Sequence, residues 1–134
     1  MFHLHPRLRC LRKDRYEKGL ILKKKIRQLG ELSEFANKIR ATVLDMIYKA
    51  KASHIGSCFS SVDLLAHLYG YWLNHDPNNP EIKNRDRFLV SKGHASAAIY
   101  ATLYLSGYFG RDLLDGYCRN GGSLAGHVTH SYAP

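Results

Sequence analysis

From Leu32 the apolar residues fall at Leu32, Phe35, Ala36, Ile39, Val43, Met46, Ile47 and Ala50, a spacing of three and four that gathers them on one helical face. This predicts a long amphipathic helix over 32–50. Glu31 and Glu34 near its start and Lys49 and Lys51 near its end complement the helix dipole. The stretch 52–57 breaks the pattern, and Ser60 with Asp63 reads as a capping-box start for a second helix, whose buried stripe would be Leu64, Leu65, Leu68, Tyr69 and Trp72. The proline- and asparagine-rich stretch 74–80 marks a surface loop.

Beyond that loop, 85–91 carries the apolar run Phe88, Leu89, Val90 between polar residues, the pattern of a buried parallel strand. Lys92 and Gly93 lead from it into a small-residue helix over 95–106, stopped by Gly107. Leu113, Leu114 and Tyr117 suggest one more short helix, and glycine-rich loop follows from Asn120. The expected class is α/β, helix-rich, with one parallel strand. A lone strand cannot make a sheet, so its partners are expected beyond Pro134 or on another chain, and the chain is expected to be an incomplete domain.

With 134 residues, 45% of them hydrophobic, the chain suits one domain rather than two. It has no membrane-spanning apolar run and no signal-peptide pattern, which leads to the expectation of a cytoplasmic protein without a membrane partner. Cys10, Cys58 and Cys118 show no CxxC spacing and read as reduced packing thiols. The net charge of +9 resides in the N-terminal stretch, where residues 1–27 hold ten Lys/Arg against Asp14 and Glu17. This divides the chain into a basic extension, 1–28, and a nearly neutral body, 29–134. Nucleic acid is not the favoured partner, because the arm holds only Phe2 and Tyr16 as aromatics and no reader motif follows. A remnant or interaction protein that uses the arm is the non-enzymatic alternative.

Three histidines carry the candidate chemistry: His54 in ASHIG, His94 in SKGHA and His127 in AGHVTH. Glycine lets backbone approach a ligand, and imidazole beside it donates hydrogen bonds to phosphate oxygens or moves protons near neutral pH. The strand–glycine–helix order around Gly93 and His94 predicts an anion site at a helix start. Other chemistries fare worse. His127 and His130 near Cys118 lie in loop-like sequence without a further zinc ligand at a usual spacing, and the GxSxG, GxGxxG and GxxxxGK[ST] motifs do not occur. No metal ligand is assigned within the chain.

The blocks ASHIGSCFSSVDLLAHLY (52–69), NRDRFLVSKGHA (84–95), LYLSGY (103–108) and GSLAGH (122–127) occur in an order that resembles the N-terminal, diphosphate-binding region of transketolases, in particular the branch divided into N- and C-terminal subunits. The resemblance runs from about Ala36 to His130. It implies a partial thiamine diphosphate-binding fold, and a parent enzyme that transfers a two-carbon ketol unit from a ketose phosphate to an aldose phosphate. On this resemblance His54 and His127 are catalytic, His54 moving protons at the substrate carbonyl and His127 bonding a donor-sugar hydroxyl. His94 and Gly93 then bind the cofactor. The first block lacks the proline of the common GlyHisProGly wording, and the last reads GHVTH in place of GlyHisProGlu. The GlyAspGly motif and downstream asparagine that hold Mg²⁺ in the family are absent, as is the pyrimidine domain. The resemblance therefore implies Mg²⁺ ligands outside this chain, a C-terminal subunit or domain as partner, a homodimer or heterotetramer, and no activity for the chain alone. A related thiamine enzyme such as deoxyxylulose-phosphate synthase is the enzymatic alternative.

Overall fold

The computed structural model describes Ile26 and residues 28–128; the basic extension up to Lys25, Cys10 within it, and His130 lie outside the described residues. Helix α1 spans Leu29–Ala50, α2 Ile55–His67, α3 Ser96–Leu105 and α4 Arg111–Asp115. A π-helical turn, Leu68–Trp72, extends α2, and a 3₁₀ turn, Gly93–Ala95, precedes α3.

The amphipathic spacing of α1 does what it predicts: Ala36, Ile39, Val43, Met46 and Ile47 are buried. They pack against Cys58, Val62, Leu65 and Ala66 of α2 and against α3. Helix α3 is the centre of the core, with every residue from Ser96 to Leu103 buried. Its alanines, Ala97, Ala98 and Ala101, are fully shielded, and the lack of long side chains there lets its neighbours approach closely. Gly107, at φ +90°, ends it in the left-handed conformation that favours glycine, with the Gly107 and Tyr108 N–H groups returning to Tyr104 and Leu103 carbonyls. Leu114 carries α4 onto the core.

Two elements differ from expectation. Helix α2 begins at Ile55 rather than Ser60. The Ser60 hydroxyl donates inside the helix to the Ser57 carbonyl, and Asp63 pairs with Arg40 of α1 at 2.6 Å, so neither forms a capping box. Starting the helix earlier sets its phase: Cys58, Val62, Leu65 and Ala66 face inward, while Leu64 is 58% exposed and Trp72 37%. The parallel strand expected over 85–91 is also not formed; among the described residues there is no strand. Phe88 and Val90 rest half-buried on the core, but Leu89 between them is 92% exposed. The apolar run therefore covers the core on one side only, with no neighbouring strand among the described residues to complete a ladder. The loop that leads to it is closed by a reciprocal pair, Asp86 N–H to the Asn74 carbonyl and Asn74 N–H to Asp86 Oδ2.

Candidate functional site

The polypeptide reverses between α1 and α2. Lys51 takes a left-handed conformation (φ 52°) to end α1, and the Ala52 N–H returns to the Ile47 carbonyl. His54 then takes a second left-handed conformation, φ 73° and ψ 18°, as the residue that caps α2. This is costly for a side-chain-bearing residue and holds the imidazole outward at the helix start. The ring is exposed.

His94 lies in the 3₁₀ turn ahead of α3, half-buried. Its carbonyl faces the Cys58 thiol at 3.9 Å, which ties the turn to α2, and burial pushes that thiol above its ordinary range, so it stands neutral beneath the site. Lys92, just upstream, donates to Ser60 Oγ at 2.9 Å. The start of α3 is less open than a bare helix N-terminus: Ala95 and Ser96 are buried, so the ligand-facing part of the junction is the Gly93–His94 turn itself. A Cβ added to Gly93 would meet only His127 Cδ2, at an ordinary 3.7 Å. Room thus remains beside that ring.

His127 arrives on the loop after α4. Cys118 N–H bonds the Leu124 carbonyl at 2.8 Å and Val128 N–H bonds the Gly93 carbonyl at 3.1 Å, laying the loop against the start of α3. The three imidazoles meet there. Ring centroids are 5.4 Å apart for His54 and His94, 5.7 Å for His54 and His127, and 6.5 Å for His94 and His127, all tilted or edge-on. The structure thus brings together His54, His94, His127 and Gly93 from separate segments. Three N–H-bearing rings beside an open glycine turn form a donor set suited to phosphate oxygens and sugar hydroxyls. Among the described residues no group of three or more His, Cys, Asp or Glu side chains is arranged to hold a metal ion.

Sequence reasoning missed the supports beneath the rings. Ser96 donates to the Gly126 carbonyl at 2.6 Å and lies 3.3 Å from the Tyr117 hydroxyl. Burial pushes the Tyr117 hydroxyl up to about 12, so it stays protonated. The signal available was a serine within an otherwise apolar helix start.

Residues 32–132 match the family model described as transketolase, thiamine diphosphate binding domain. The chain is 40% identical over 102 residues to transketolase 2 of Vibrio vulnificus, covering 75% of this chain and 15% of that protein. It is 39% identical over 107 residues to transketolase 1 of Vibrio cholerae, covering 79% and 16%. Its structure resembles a transketolase from Leishmania mexicana with a TM-score of 0.72 and 30% identity, over 77% of this chain and 16% of that one. The chain belongs to the transketolase thiamine diphosphate binding domain family and shares its α/β fold. It spans about 15% of the length of the first of these relatives. No helix among the described residues is long and apolar enough to cross a membrane.

Proposed function

We propose that this chain supplies the thiamine diphosphate-binding side of a transketolase, which moves a two-carbon ketol unit from a ketose phosphate to an aldose phosphate. The observation that carries the reading is the convergence of His54, His94 and His127 beside Gly93. Thiamine diphosphate, when bound, supplies the carbanion chemistry that side chains lack. The Gly93–His94 turn binds and orients diphosphate oxygens, with the His94 ring as donor. His54, held outward by its left-handed backbone, takes and returns a proton at the substrate carbonyl. His127 donates to a hydroxyl of the donor sugar and fixes its direction of approach.

In this reading Mg²⁺ is part of the cofactor complex, and its ligands come from outside the chain. Residues 29–134 form an incomplete N-terminal, diphosphate-binding domain and 1–28 a basic extension to it. A C-terminal subunit or domain completes the site, in a homodimer or heterotetramer. In this reading the setting is cytoplasmic.

The test is turnover of sugar phosphates with thiamine diphosphate and Mg²⁺, by the chain alone and by a form extended to its relatives' length or combined with the complementary part. The chain alone should show no turnover and the completed form should show ketol transfer. In that form His94→Ala should raise the cofactor concentration required, and His127→Ala should raise KM for the donor. Unchanged kinetics in both variants would reject the assignment.

A further inference from the structure

Ser96 opens α3 at a position wholly closed to solvent. A hydroxyl in such a place is costly unless its hydrogen-bonding capacity is used. Its proton goes to the Gly126 carbonyl at 2.6 Å. With that proton committed, the Tyr117 hydroxyl, 3.3 Å away on a buried side chain, is the donor to Ser96 Oγ. The relay runs in one direction, Tyr117 to Ser96 to Gly126, and ends on the carbonyl immediately before His127. Immediately after His127, the Val128 N–H donates to the Gly93 carbonyl at 3.1 Å. The backbone on both sides of His127 is thereby fastened to the junction that carries His94. The exposed His127 ring takes its place from this backbone.

From these contacts we infer that Ser96 is the positioning residue of His127, holding its imidazole 5.7 Å from the His54 ring and 6.5 Å from the His94 ring. The functional weight of this arrangement rests on the transketolase reading; the arrangement itself rests on geometry alone. Ser96→Ala removes the oxygen, leaves almost the same volume filled, and strands the Gly126 carbonyl and Tyr117 hydroxyl without their bonds to it.

The experiment uses the whole 134-residue chain, without cofactor, with labelled histidine rings observed by NMR. The wild type should show ring-to-ring cross-relaxation for His54 with His94 and for His54 with His127. In Ser96→Ala the His54–His127 signal should fall severalfold while the His54–His94 signal persists, and Val128 amide exchange should rise by about tenfold, as loss of one hydrogen bond implies. A general loosening of the domain would weaken both ring contacts and would overturn the assignment, as would an unchanged His54–His127 contact in a folded variant. Should Ser96→Ala fail to fold, the wild type decides: a Ser96 hydroxyl proton protected at least about tenfold from solvent exchange supports its bond to the Gly126 carbonyl, and one exchanging at the open-chain rate rejects the assignment. Thiamine diphosphate is added to the wild type as a separate arm. No response of the rings there would retire the cofactor role while leaving the positioning result intact.

Discussion

The His54 ring stands 5.4 Å from the His94 ring, and the backbone of His54 sits at φ 73° to put it there. Left-handed backbone costs a side-chain-bearing residue about 1–2 kcal/mol, whereas glycine adopts it freely. His54→Gly is therefore expected to be about 1 kcal/mol more stable than His54→Ala, although both lose the imidazole. Thermal melts of the two variants check this, and ketol transfer by the completed enzyme should fall in both. Equal or reversed stabilities would mean that His54 does not hold this conformation in solution.

The loop bearing His127 depends on an approach that only glycine permits. A Cβ on Gly122 would lie 1.9 Å from the Gly116 carbonyl oxygen and 2.9 Å from its carbon, so backbone would have to shift. Gly122→Ala should cost about 3 kcal/mol, at the upper end for overpacking, and displace the His127 loop. Urea titration reads the stability; an unchanged midpoint would contradict the Gly116–Gly122 approach.

Ion pairs join α1 to α4. Asp45 binds Lys49 at 3.0 Å and also Arg111, while Asp115 lies 3.5 Å from Arg111 Nε. The bond from Lys49, followed by the contribution of Arg111, holds the Asp45 carboxyl below its usual 3.8. A lowered folded-state value means that the stabilisation is present above the unfolded value and fades as pH falls through the folded one. Asp45→Asn should thus lower the melting temperature slightly at neutral pH, and the gap from wild type should close below about pH 3.8 and in molar salt, since these groups are exposed to screening. Paired melts at pH 7, pH 3 and high salt give the comparison; a gap that widens in acid would exclude this role.

How much of this was legible follows from the range over which each feature acts. Helix α1 could be read because Ile39, Val43 and Met46 encode a face within a single segment. The start of α2 could not, since the left-handed backbone of His54 is no propensity signal and Ser60 with Asp63 offered a plausible local cap. Phe88, Leu89 and Val90 announce burial, but a strand also needs a partner, and none stands among the described residues. The histidines were conspicuous because glycine lies close to each. Their meeting point, and the Ser96–Gly126 bond beneath it, arise from long-range packing that no short window contains.

The central position of α3 makes its alanines the least forgiving sites in the core. Ala101 is fully buried and faces closely packed neighbours. Ala101→Leu should destabilise by about 1–3 kcal/mol through overpacking, and Ala101→Gly by about 1 kcal/mol through helix propensity. Denaturant midpoints for the pair decide it: a tolerated leucine would show that α3 is loosely surrounded.

Leu89 offers the sharpest comparison between this chain and a protein of its relatives' length. At 92% exposure it contributes nothing to the core here, so Leu89→Ser should change stability by less than about 0.5 kcal/mol. It nevertheless lies between Phe88 and Val90, which do pack on the core, in a segment whose apolar run suits a strand covered on both faces. If 85–91 pairs as a strand in a form extended to the relatives' length and this side chain becomes buried, the same substitution should cost about 2–4 kcal/mol there, as loss of a buried leucine does. A large cost in the long form with none in the short one would show that Leu89 is covered only in the longer form. A neutral result in both would leave Leu89 facing solvent and remove the grounds for reading 85–91 as a strand.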